Sequence, residues 1–144
     1  MKRLLFLILI SLLWSACNLS DDDIARSLIA GILRDIEFQF NQQNPDQSVK
    51  KIMEYYHPDY KHNSEGGLVS VENFWSKYII DYSSMKIENV DIDFYNDDRA
   101  IAQFKITFFD KDNKPSILYK APEPFGILSY YKHDYTSWKI YGNQ

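Results

Sequence analysis

The sequence predicts an α+β fold in which a curved antiparallel sheet wraps around a long N-terminal helix. Two observations predict it. In the first half of the chain apolar residues recur every three to four positions, the spacing of amphipathic helices. From Met85 onward they recur every second position, the spacing of strands with one buried face. Helices followed by strands place the helices against one face of an antiparallel sheet. At 144 residues, 45% hydrophobic and 16% aromatic, the chain has the size and material for one core.

The long helix is read from Ile24 to Phe40, where Ile24, Leu28, Ile32, Ile36 and Phe40 recur every four residues and Ile29 and Leu33 widen the stripe. Asp21-Asp22-Asp23 supplies its cap and the negative charge that a helix N-terminus favours. Asn41 to Pro45 ends it. Asp46 caps a second helix, Gln47 to Tyr56, with Val49, Ile52, Met53 and Tyr56 inward. His57-Pro58 stops that helix, because the residue before proline is pushed out of the helical region. Asp59 to Asn63 is extended, and Ser64 to Gly67 is a turn. Ser70 caps a third helix, Val71 to Ile80, which buries Val71, Phe74, Trp75, Tyr78 and Ile79.

Met85 to Tyr95 then turns Val90, Ile92 and Phe94 inward against Asn89, Asp91 and Asp93. Ile87 is out of phase with that set, which calls for a bulge near Glu88-Asn89. Asn96-Asp97-Asp98 is a hairpin turn. Arg99 to Phe109 alternates Ala100, Ala102, Phe104, Ile106 and Phe108 inward. Asp110 to Lys114 turns again, and Ser116 to Lys120 is a short strand interrupted by Pro122 and Pro124. Phe125 to Lys132 and Ser137 to Tyr141 form a final hairpin.

The start of the chain carries location rather than fold. Met1-Lys2-Arg3, the apolar run Leu4 to Leu13 and the small residues before Cys17 have the layout of a secretory leader. That run is shorter than the roughly 20 apolar residues of a membrane-spanning helix. Ser15-Ala16-Cys17 resembles the lipobox of bacterial lipoproteins, with Trp14 in a place usually held by leucine. The resemblance implies cleavage before Cys17, the only cysteine, then acylation of its thiol and new amino terminus. It divides the chain into a leader (residues 1–16), lipidated Cys17 with a tether (17–23) and one domain (24–144). Several acyl chains, at about 0.8 kcal/mol per buried CH₂, give stable membrane attachment. The expected location is the cell envelope, and Asn18 after the cysteine favours the outer membrane over the inner.

The order of elements resembles the nuclear-transport-factor-2-like superfamily, which includes the SnoaL-like polyketide cyclases. The residues that carry it are the long helix, Tyr55-Tyr56-His57-Pro58-Asp59-Tyr60, the helix around Phe74-Trp75, and the closing Trp138-Lys139-Ile140-Tyr141-Gly142. A cystatin-like roll is the alternative shape. The resemblance implies a cone with a pocket at its open end and dimerisation through the sheet.

Tyr56, Asp59, Tyr60 and His62 cluster after the second helix. In an extended segment Tyr60 and His62 share one face, while Asp59 and Lys61 share the other. Histidine moves a proton near neutral pH and tyrosine holds a developing oxyanion, so His62 with Asp59 or Tyr60 is the candidate catalytic set. In the superfamily's isomerase-like members a pocket Asp or His takes a proton beside a carbonyl. The plainer reading is a tyrosine-rich segment packed on the helices. Tyr56, Tyr60, His62, Trp75, Tyr78, Phe104, Phe108 and Trp138 are the candidate lining of a pocket for a small apolar ligand, with Tyr119 to Pro124 as its lip.

Other chemistry is weakly represented. Asp91 and Asp93 alternate with apolar residues and occupy a solvated face. His57, His62 and His133 lack zinc-ligand spacing, so no metal is expected. Without a phosphate loop or nucleophile elbow, no cofactor is expected either. A net charge of −4, more negative once Lys2 and Arg3 leave with the leader, gives no electrostatic basis for nucleic-acid binding. Binding of a small apolar ligand or an envelope partner without catalysis is therefore preferred to an isomerase, cyclase or dehydratase, with an assembly role through an exposed strand surface as a third reading. Cys17→Ser is expected to move the protein from sedimenting membranes to the soluble fraction, and the wild-type N-terminal peptide to carry lipid mass. Unchanged sedimentation without that mass contradicts the lipoprotein reading.

Overall fold

Helix α1 (Asp21–Asn41) begins earlier than its apolar period indicates. The computed structural model describes residues 20–61, 66–116, 125–132 and 137–142; the leader, Cys17, His62 and the Tyr119–Pro124 lip lie outside the described residues. Ser20 is the cap of α1. Its Oγ accepts the Asp23 N–H at 3.1 Å, and the Asp23 carboxylate accepts the Ser20 N–H at 3.3 Å, so cap and first turn meet each other's unpaired donors. Asp21 to Asp23 are thus the first turn of the helix and not a tether. Ile29, Ile32, Leu33, Ile36 and Phe40 are buried, whereas Ile24 and Leu28 are exposed by 46% and 42%. Each step of four residues turns about 40° around a helix of 3.6 residues per turn, so Ile24 lies about 160° from Phe40. Both ends of that row cannot face one core.

Helix α2 (Pro45–Met53) is capped by Asn44, whose Oδ1 accepts the Gln47 N–H at 3.4 Å. Pro45 stands at the first position, where a missing N–H costs nothing. Asn44-Pro45 therefore opens this helix, and Asp46 is inside its first turn. The helix ends at Met53, and Tyr56, expected on it, begins strand β1 (Tyr56–Lys61). His57-Pro58 lies within that edge strand, a position that tolerates proline. Helix α3 (Leu68–Asp81) starts after Gly67, earlier than a Ser70 cap would place it, and buries Val71, Trp75 and Ile79.

The remaining strands are β2 (Ser84–Asn96), β3 (Arg99–Phe109), β4 (Pro115–Ser116), β5 (Phe125–Lys132) and β6 (Trp138–Gly142). They form one sheet in the order β1-β6-β5-β3-β2, with β4 also paired to β3. β1 runs parallel to β6, a pairing between distant segments that the sequence does not announce. Gly142 permits the close approach there: its φ is +120°, and a Cβ would stand 1.9 Å from the Lys61 carbonyl oxygen. The β2–β3 hairpin holds the expected bulge. Glu88 faces Lys105 and Asp91 faces Gln103, so β2 spends one extra residue, and Asn89 takes φ 54°. The extra residue returns Ile92 to the inner face and leaves Val90, expected inward, 38% exposed.

Strand β2 ends the sheet, and α1 runs antiparallel along its edge. The Asn41 side chain makes a two-point contact with Met85: Nδ2 donates to the carbonyl at 3.0 Å, and Oδ1 accepts the N–H at 2.7 Å. Glu37 Oε2 accepts the Ile87 N–H at 2.7 Å. Past the bulge, Arg26 donates to the Ile92 carbonyl and sets its guanidinium 5.0 Å from the Phe94 ring centre. The lengths match, since Asn41 back to Arg26 spans about 22 Å of helix and Met85 to Ile92 about 23 Å of strand. Asn41→Ala is expected to leave both Met85 groups without their partner and to cost about 1–3 kcal/mol, read as a lower urea midpoint with an unchanged denaturant slope.

Candidate functional site

The inner face of the sheet carries a row that crosses five strands. Tyr56 of β1 pairs with Ile140 of β6, Ile140 with Tyr130 of β5, Tyr130 with Ala100 of β3, and Ala100 with Phe94 of β2. Tyr56, Ile140, Tyr130 and Ala100 are buried, and Phe94 packs against them from the rim of the core. Helix α3 closes over the β1 end of this row. Its four-residue repeat aims Trp75 inward, where Nε1 donates to the Tyr56 hydroxyl at 3.0 Å. Tyr60 meets Tyr56 edge-on at 5.1 Å between ring centres.

The predicted lining residues within the described structure all belong to this interior. Tyr56, Tyr60, Trp75, Phe104, Phe108 and Trp138 are buried, and Tyr78 is half-buried. Phe40 of α1 joins them, edge-on to Trp75 at 6.2 Å and to Phe108 at 5.4 Å, while Tyr78 meets Phe108 at 5.1 Å. Trp138 stands apart from that group and meets Phe94 at 5.9 Å. Such edge-to-face pairs add about 0.5–1.5 kcal/mol each beyond area burial, so these rings hold the fold together whatever else they bind.

The catalytic candidates divide. Tyr60 is inside. Asp59 points to the opposite side of β1, its side chain 76% exposed, with Oδ2 3.9 Å from His57 Nδ1. The strand backbone therefore keeps Asp59 away from the Tyr60 phenol. His62 lies outside the described residues. Among the described residues the buried side chains include no carboxylate, histidine, lysine or arginine, and Ser48 is the buried polar exception beside the tyrosines and tryptophans. Phenol and indole groups bind and orient, but their protons do not move readily near neutral pH. Among the described residues no cluster of three His, Cys, Asp or Glu is placed to hold a metal ion, and no helix is long and apolar enough to cross a membrane.

Two polar features went unselected by sequence reading. At the margin of the core, the half-buried Tyr55 hydroxyl donates to Asp35 at 2.5 Å and ties α1 to the turn before β1. Burial first, and then this bond, push the Tyr55 pKa up to about 12. On the inside, the Tyr130 hydroxyl is fully buried and has no hydrogen-bond partner among the described residues. Burial, and then the neighbouring Tyr56, hold its pKa well above the ordinary tyrosine range. Residue type does not single out Tyr130 from Tyr131. Only the pairing with Ala100 and Ile140 assigns it to the inner face.

No protein-family model and no curated protein matches the sequence. Solved structures do match its fold. A nuclear-transport-factor-2-like protein of unknown function from Shewanella oneidensis aligns with a TM-score of 0.57 and 15% identity, over 82% of this chain and 95% of that one. A protein of unknown function with a cystatin-like fold from Nostoc punctiforme aligns with a TM-score of 0.58 and 13% identity, over 81% and 86%. A hexachlorocyclohexane dehydrochlorinase aligns with a TM-score of 0.56 and 12% identity, over 85% and 84%. The fold class is thus the α+β architecture that these nuclear-transport-factor-2-like and cystatin-like structures share.

Tyr56→Phe is expected to strand the buried Trp75 Nε1–H and to lower stability by about 1–3 kcal/mol. Trp75→Phe in the same background should restore little of it, because ring packing is lost as well. Urea denaturation of the single and the double variant against wild type checks both statements.

Proposed function

We propose that this chain is a lipoprotein of the bacterial cell envelope, anchored through Cys17, whose domain binds a small apolar molecule within the sheet and helix interior without transforming it. The observation that carries the binding part is the composition of that interior. Buried aromatic rings pack beside a few hydroxyl and indole groups, while Asp59 lies outside. A site of this kind orients a largely apolar ligand by one or two hydrogen bonds. One of the proteins of this fold is named for acting on hexachlorocyclohexane, itself an apolar molecule.

The anchor and the domain belong together in this reading. Only Asn18 and Leu19 separate Cys17 from the Ser20 cap, a reach of about 10 Å at 3.3–3.6 Å per residue. The domain is then held against the bilayer and draws its ligand from the membrane surface. A second reading is favoured by the inward position of Tyr60: an isomerase, cyclase or dehydratase in which Tyr60 works with His62, and in which Asp59 has no part.

Mass spectrometry of the protein extracted from its native membrane tests the proposal. The expected result is lipid mass on Cys17 together with a small molecule, chemically unchanged, released on denaturation. An N-terminus without lipid contradicts the anchor. Denatured protein that releases no more small molecule than a control contradicts the binding.

A further inference from the structure

Tyr130 sits on β5 with 1% of its surface exposed, and its hydroxyl has no hydrogen-bond partner among the described residues. Burying an unmet donor costs about 1–3 kcal/mol, a cost that phenylalanine would avoid with nearly the same volume. The register explains where the group points its chemistry. Tyr130 and Tyr56 flank Ile140 on the inner face, with Cα atoms about 10 Å apart at 4.8 Å per strand. The Tyr56 oxygen already accepts the Trp75 N–H at 3.0 Å. Tyr130 therefore leaves an O–H donor inside an interior whose other described buried side chains are, apart from Ser48, aromatic and aliphatic.

We propose that Tyr130 anchors the ligand, and that the ligand is a neutral apolar molecule carrying a carbonyl-type acceptor oxygen, such as a ketone, ester or quinone. This rests on the binding reading above and narrows it. A hydrocarbon would leave the hydroxyl as it is. A carboxylate or phosphate would enter an interior that buries no lysine or arginine among the described residues, and an unpaired buried ion is far more costly than a neutral dipole. An ammonium ligand meets the same objection, since no carboxylate is buried there among the described residues.

The test uses two probes of nearly equal shape, 2-acetonaphthone and 2-ethylnaphthalene, which differ in the ketone oxygen. Each is titrated into the full-length protein in detergent, wild type and Tyr130→Phe, with the infrared carbonyl band of bound ketone as a second readout. Wild type is expected to bind the ketone about tenfold more tightly than the hydrocarbon, the worth of one hydrogen bond to an unmet donor. Its carbonyl stretch is expected to shift to lower frequency. In Tyr130→Phe the preference and the shift should vanish, hydrocarbon affinity should be kept, and the thermal midpoint of the ligand-free protein should rise because the unmet donor is gone. Equal affinities in wild type, an unshifted carbonyl band, or a preference that survives Tyr130→Phe overturns the assignment and leaves apolar binding standing. Failure of both probes to bind wild type overturns the assignment and the binding reading together.

Discussion

Strand β2 stands at the end of the sheet, and a free strand edge is a row of unpaired amides and carbonyls open to any other strand. Here the side chains of α1 take the place of a neighbouring strand. Asn41 reproduces a strand's two-point pairing at Met85, Glu37 takes the Ile87 N–H, and Arg26 reaches Ile92 beyond the bulge. The adjoining face of the helix buries Ile29, Leu33, Ile36 and Phe40. One helix thereby fills the core and closes the edge. The bulge at Glu88 to Asp91 makes the two roles compatible, because it keeps both Ile87 and Ile92 turned toward the helix.

What the sequence shows and what it hides follow from the range of each interaction. The Arg99–Phe109 strand could be read in full, since alternation is local and every inward residue named there is buried. The bulge was legible because Ile87 broke phase. Helix starts were less so. Ser20 and Asn44 are the caps, but the aspartates nearby cap a helix equally well, and the apolar period does not reach far enough to choose between them. Ile24 and Leu28 were assigned inward by a four-residue row that in a real helix winds off the core. The parallel β1–β6 pairing joins residues more than seventy positions apart, and no local pattern encodes it.

The candidate site shows the same division. Its aromatic residues were identifiable by type, and the structure gathers the described ones into a single interior. The polar group that distinguishes the interior was not, because Tyr130 is inward only by virtue of its partners on β3 and β6. Asp59 shows the converse: adjacent to Tyr60 in sequence, it is carried by strand alternation to the other side of the sheet. The proposed binding function rests on that sorting, with donors and rings inside and, among the described residues, carboxylates outside.

Amide hydrogen exchange in the wild-type protein tests whether α1 substitutes for a strand along β2. The Met85 and Ile87 amides are expected to exchange as slowly as the interior amides of β3. Exchange of both at the rate of solvent-exposed loop amides, with β3 still protected, would contradict it.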